Sequence, residues 1–305
     1  MIILLINILI LLFAPFLMLG VVKKTKAFFA GRKGVSIWQP FRDTMRLLKK
    51  EYVISETTSW VFGFAPVVIF ATTLFAALFA PLSCGLSVFH VPAAFIVFAY
   101  ALSLGKFFSL LAAMDTGSSF EGMGAAREAC FSTIVEPAFF IAMASIIALT
   151  NEMTFMSFLN ILENSGVYGY LIILLLALTL FIMMLSECCR VPVDDPTTHL
   201  ELTMIHEVMV LDNSGFDLAL INWASAIKML LFESLIATLL IPTSLGWWQM
   251  VIAYVAVITI LSILIGVVES SMARFRMTHV FEFIFVMTIT ALIILALVTY
   301  RIYGS

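Results

Sequence analysis

Six ionisable residues stand where lipid should be. Lys106, Glu136, Lys228 and Glu233 fall inside long apolar runs, and Glu187 and Glu269 close two others. A charge at mid-bilayer costs about 2.5–3.5 kcal/mol on insertion scales, so such side chains normally face protein or water and are paired. A carboxylate that can change protonation state, beside a cation that sets its pKa, is the basic part of a proton relay. Arg127 and Arg190, close to the ends of the fourth and fifth runs, are further cations that could tune one. A plainer reading stays open for Glu187, Glu269 and Glu282, which stand near run ends and can snorkel to water. Lys228 and Glu233 are five apart rather than four, so each can instead pair across helices.

The longest polar interruption in the downstream part of the chain is SECCRVPVDDPTTHLELTMIHEVMVLDNSG, residues 186–215. It carries Glu187, Asp194, Asp195, Glu201, Glu207 and Asp212, with Arg190, His199 and His206. Lipid cannot satisfy exposed backbone and charge, so this segment must meet water or another protein. His199 and His206, seven apart, can share a helical face with Glu207 beside them. With His90 and His279 they form no HExxH-type grouping, and Cys84, Cys130, Cys188 and Cys189 show no CxxC spacing. Vicinal cysteines alone cannot build a tetrahedral metal site, so the expectation is no metal and no cofactor in this chain. The cysteines read as small apolar fillers at span ends.

The elements that must position these groups are helices in a bilayer. Of 305 residues 63% are hydrophobic and only 11% charged, and the mean hydropathy is +1.13. Soluble domains carry about 25% charged residues. Nothing suggests nucleic-acid binding. Apolar runs long enough to cross about 30 Å of hydrocarbon fall at 2–22, 61–80, 91–112, 130–150, 168–187, 221–241, 248–268 and 280–300. The expected fold is therefore an all-α integral membrane protein, one membrane domain over 1–305 with eight transmembrane helices. The first run precedes its basic residues, Lys23, Lys24 and Lys26, the reverse of a cleavable signal, so it reads as a retained span with its N-terminus outside. Nine of the sixteen basic residues crowd the first loop, and Arg127, Arg190, Arg274 and Arg276 lie in the loops that alternation places on the same side. That bias makes those loops cytoplasmic. Within the first loop, 38–52 spaces Phe41, Met45, Leu48 and Tyr52 opposite Arg42, Arg46, Lys49 and Lys50, the pattern of an amphipathic helix lying in the interface. The long loop over about 187–220 falls on that cytoplasmic side. No internal repeat is evident, which argues against an inverted-repeat transporter.

Four stretches in order resemble one family. GRKGVSIWQPFRDTMRLLKKE (31–51), MGAAREACFSTIVEP (123–137), ECCRVPVDDP (187–196) and ESSMARFRM (269–277) are similar to motifs of the quinone-chamber subunit of respiratory complex I. That family includes the membrane-anchor subunits of group 4 nickel–iron hydrogenases and formate hydrogenlyase. Residue by residue, the resemblance covers Gln39, Pro40 and Asp43; Arg127 and Glu136; Glu187, Arg190, Pro192 and Asp194; Glu233; and Glu269, Arg274 and Arg276. Two departures lean toward the hydrogenase branch. The acidic continuation usual in complex I is here Pro196, Thr197, Thr198, His199, Leu200 and Glu201, then TMIHEVMVLDNSG, so two acidic positions are lost, and the glycine–proline of its first loop is Gly34–Val35. MDTGSSFEGMGAARE (114–128) is closer to the hydrogenase anchors.

The resemblance implies a non-catalytic subunit that holds a peripheral redox module and couples it to ion movement in a prokaryotic inner membrane. Glu136, Glu187, Glu233 and Glu269 would carry protons, tuned by Lys106, Lys228, Arg127 and Arg190. Gln39, Asp43, Asp194, Asp195, Glu201, Arg274 and Arg276 would meet partners. Those partners would be a hydrogenase large subunit with its nickel–iron centre, a small iron–sulfur subunit and a polyferredoxin-type subunit with 4Fe-4S clusters, and antiporter-like membrane subunits. The alternatives are the quinone-chamber subunit of a complex I, which would need a tail-wide cavity, open to lipid, between the interface helix and the first and sixth spans, and a free-standing ion transporter.

Overall fold

A backbone in hydrocarbon must satisfy its own hydrogen bonds, and each long apolar run does so as a helix. The computed structural model describes residues 2–51, 53–82, 87, 89, 91–161, 167–195, 204–242 and 245–303. Eight helices among them are long and apolar enough to cross a membrane. They are α1 (Ile2–Phe29), α3 (Trp60–Phe79), α4 (Ala94–Asp115), α5 (Ser119–Thr150), α6 (Val167–Glu187), α8 (Gly215–Leu240), α9 (Trp247–Ser271) and α10 (Met277–Tyr303). Two shorter helices, α2 (Gln39–Leu47) and α7 (His206–Met209), complete the α set. No strand occurs among the described residues.

All eight expected spans are present, and the differences lie at their ends. The fourth begins at Ser119, not at 130, so the expected loop over 113–129 shrinks to a turn at Thr116–Ser118. The reason is compositional: GMGAARE is helix-compatible but not apolar, so hydropathy misses it. At 1.5 Å per residue α5 is about 48 Å long, well beyond the hydrocarbon core. The interface helix is also shorter than expected, nine residues rather than 38–52. Pro40 fits its first turn, where no N–H is required. Phe41 packs on Phe13 and Phe16 of α1, with ring centroids 6.0 and 5.5 Å apart, while Arg42 and Arg46 stay exposed.

The sixth span, α8, is the axis of the bundle. It packs against α1, α2, α3, α6 and α9, and 78% of its most apolar stretch is buried, against 28–56% for the other spans. Lys228 and Glu233 on this helix therefore face protein, where they need partners.

The described residues between α6 and α8, 188–195 and 204–214, form a folded cap. Asp194, 1% exposed, organises it. One carboxylate oxygen accepts the N–H groups of Ile205 and His206 at 3.0 and 3.1 Å. The other accepts the N–H of Asp195 at 2.9 Å and lies 3.2 Å from the Arg274 guanidinium. The cap packs on α5 at Gly124, where a Cβ would collide with Val208 and the Ile205 carbonyl. Gly215, at φ +51°, starts α8 with the Glu51 carbonyl against it, in a conformation other residues rarely adopt.

A buried line of charges as the candidate functional site

Glu187, the last residue of α6, is clamped by two lysines from different helices. Lys106 Nζ of α4 lies 2.6 Å from Oε1, and Lys228 Nζ of α8 lies 2.6 Å from Oε2. Lys106 also donates to Ser132 at 2.9 Å and lies 3.7 Å from Glu128 Oε1. None of these four side chains is more than 17% exposed. With all ionised, two positive and two negative charges balance, which is how such a cluster survives burial. The cross-helix pairing of Lys228 follows from its place on α8.

Glu128 is not among the expected site residues, because the expected loop ends there. With α5 starting at Ser119, Glu128, Ser132 and Glu136 recur every four residues along one face. That spacing was the available signal. Glu136 accepts a hydrogen bond from Ser103 of α4 at 2.8 Å. Glu128 has the other environment of note: its Oε2 lies 3.9 Å from the Cys189 thiol, which donates to it.

Three cavities run in series past these groups. The largest, about 520 Å3, lies between α1, α2, α8 and the cap and is bordered by Phe16, Leu47, Asp43, Arg190 and Glu269. It shares Cys188, Cys189, His206 and Ser225 with a second cavity of about 70 Å3, which holds Glu128, Lys106, Glu187 and Lys228 in its wall. The second shares Leu102, Lys106 and Glu187 with a third of about 20 Å3 that reaches Glu136. A cavity of about 520 Å3 therefore lies between the interface helix and the first and sixth spans, where a quinone chamber would need one.

The other expected acids stand outside the Lys106–Glu187–Lys228 cluster. Glu269 of α9 lies 2.9 Å from Lys26 and 3.3 Å from Arg190, on the wall of the large chamber. Lys26, by sequence only one of the basic residues after the first span, is its partner. Glu233 is fully buried and accepts from Ser262 of α9 at 2.8 Å. It borders none of the three cavities. Arg127 donates to the Met204 carbonyl at 2.9 Å and so ties α5 to the cap. Of the expected docking residues, Gln39 donates to Asp43 at 2.7 Å on α2. Asp195 is half-buried, Arg276 is exposed, and Asp194 and Arg274 pair inside the cap. Glu201 and His199 lie outside the described residues, as do Tyr52, Cys84, His90 and Glu163.

Burial also sets the chemistry of the wall between the first two cavities. It pushes the Cys188 thiol up to about 12 and Cys189 well above the usual thiol range, so both stay protonated and unreactive at neutral pH. It lowers the pKa of His206, against the upward pull of Glu207 beside it.

The described residues thus form a multi-pass helical bundle with ion-paired acids in its core. The family described as NADH dehydrogenase matches residues 1–300, and the chain belongs to that family. Among curated proteins it is similar to Hydrogenase-4 component C of Escherichia coli (strain K12), 30% identical over 76% of this chain and 73% of the relative. Formate hydrogenlyase subunit 4 of the same strain is 24% identical over 86% of each chain. An NADH-quinone oxidoreductase subunit from Orientia tsutsugamushi (strain Ikeda) is 25% identical over 56% of this chain and 50% of the relative. The fold is also that of a chain in the membrane-bound sulfane sulfur reductase, an archaeal respiratory membrane complex, with a TM-score of 0.83 over 97% of both chains at 19% identity.

Proposed function

We propose that this chain is the membrane-anchor and proton-coupling subunit of a multisubunit energy-converting nickel–iron hydrogenase or formate hydrogenlyase, in a prokaryotic inner membrane. The observation that carries the reading is the series of cavities leading from beneath the interface helix, past the Lys106–Glu187–Lys228 clamp, to Glu136. Filled with water, a path of this kind would let carboxylates exchange protons while lysines hold the charge in balance. The hydrogenase-type relatives, matched over more of their length than the NADH-quinone oxidoreductase relative, support the choice of branch. The chain would supply neither metal nor redox centre. The partners would bring a nickel–iron centre and 4Fe-4S clusters, seated against the cap and α2 by Gln39, Asp43, Asp195, Glu201 and Arg276. Asp194 and Arg274 would act on docking indirectly, by holding the cap in shape. Antiporter-like membrane subunits would receive the coupled charge movement.

One observation favours a second reading. The chamber of about 520 Å3 has Phe16, Leu19 and Leu47 among its apolar borders and Asp43, Asp194 and Glu269 among its polar ones, which suits an amphipathic tail-bearing ligand such as a quinone. Purification of the tagged chain from its membrane, with identification of the co-eluting subunits, decides between them. A nickel-binding subunit is the expected result. A quinone-reducing assembly without nickel would establish the second reading, and a chain that elutes alone and transports ions alone would sink both.

A further inference from the structure

Among the described residues, His206 is the readily titratable group in the partition between the large chamber and the buried charge pocket. The described residues common to both cavities are Cys188, Cys189, Ser225 and His206. Both thiols are locked in the protonated state, and a serine hydroxyl does not take up a proton at neutral pH. An imidazole does, and its two nitrogens let it accept a proton on one side and release one on the other. From this placement we propose that His206 is the proton shuttle between the chamber under α2 and the Glu128 carboxylate. This rests on the coupling role proposed above and deepens it.

The receiving acid follows from the ion pairing. Both oxygens of Glu187 are held by lysines at 2.6 Å, so it is the poorer acceptor. Glu128 has only the longer 3.7 Å contact to Lys106 and the weak thiol donor of Cys189. A cavity of about 70 Å3 lies between, with room for water. In the step, neutral His206 takes a proton at one ring nitrogen from the chamber side, where Glu207 and Asp43 border the cavity. The N–H at the other nitrogen passes its proton through water to Glu128, leaving neutral imidazole and a neutral carboxylic acid. No electron moves.

The charges around the ring suit a short-lived imidazolium. Glu207 and Asp194 favour it, while Lys228, Arg190 and burial oppose it. Lys106 and Glu128 stand across the small cavity, Arg127 holds the neighbouring Met204 carbonyl, and Lys23, Lys26 and Glu269 border the chamber. The backbone N–H of His206 on Asp194 fixes where the residue stands.

The test uses the intact complex in proteoliposomes, driven by reduced methyl viologen, with lumen acidification and hydrogen evolution read together. His206→Ala is expected to lower protons moved per hydrogen evolved by about tenfold or more, the scale of a lost proton-transfer group. Added imidazole, small enough for the chamber, is expected to restore translocation in His206→Ala and not in His206→Gln, whose side chain fills the space. His206→Gln keeps size and polarity, so it also reports the loss if the alanine variant does not assemble. Assembled variants that pump with the wild-type ratio and pH profile would overturn the shuttle and leave the coupling role intact. An assembled, defective His206→Ala that imidazole does not restore would overturn it too. Wild-type complex that evolves hydrogen without acidification would remove the coupling role itself, and the shuttle with it.

Discussion

Glu187 sets the charge balance of the pocket, because it bonds lysines from two helices. Glu187→Gln leaves two buried ammonium groups with one carboxylate at 3.7 Å, and breaking a buried pair in this way costs about 3–5 kcal/mol. In a Lys228→Met background the same change should cost less, with a coupling of about 1–3 kcal/mol. Thermal melts of the four proteins in a double-mutant cycle measure it, and strict additivity would refute the pairing. His206 gives a pH dependence with a definite sign. Its folded pKa is depressed, so the unfolded state takes the proton first and acid favours unfolding. Its contribution is present above the unfolded value near 6.5 and is lost as pH falls through and below it. Melting temperature should therefore drop below about pH 6.5, and His206→Gln should flatten that slope. Sequence alone exposed these residues as costly in lipid but left their partners open. Glu136, Glu187 and the two lysines meet in one line, whereas Glu233 sits apart with Ser262.

At the scale of the element, the cap formed by 188–195 and 204–214 depends on two small-scale fits. Gly124 allows α7 to seat on α5, and Gly124→Val forces a methyl-bearing side chain into Val208 and the Ile205 carbonyl. Overpacking of this kind costs about 1–3 kcal/mol. The readout is faster amide exchange or proteolysis across 204–214, and protection equal to wild type would contradict the packing. Asp194→Asn keeps an acceptor but removes the charge facing Arg274, and the loss should be about 1–3 kcal/mol, read in the same assay. The eight spans were legible because a long apolar run signals a membrane helix strongly. The start of α5 and the end of α2 were not, because α5 runs past the lipid in helix-compatible but polar residues and α2 stops short of the amphipathic pattern.

For the whole molecule, the basic residues of the first loop predict one orientation. A Lys33→Cys variant, exposed at the end of α1, should react with an impermeant thiol reagent from the cytoplasmic side only. Labelling from the opposite face would invert the topology and move the cap away from any cytoplasmic redox partner. By itself the sequence determined that this chain is an eight-span membrane bundle with acids and lysines at depths where lipid penalises them, since hydropathy and charge are properties of residues taken singly. Four motifs in order determined its family in the same local way. Only the tertiary structure decided that α8 is the enclosed axis, that Glu128 joins the line, and that His206 stands between two cavities. Those facts depend on which helix faces meet, and a face acquires its neighbours only when separate spans pack.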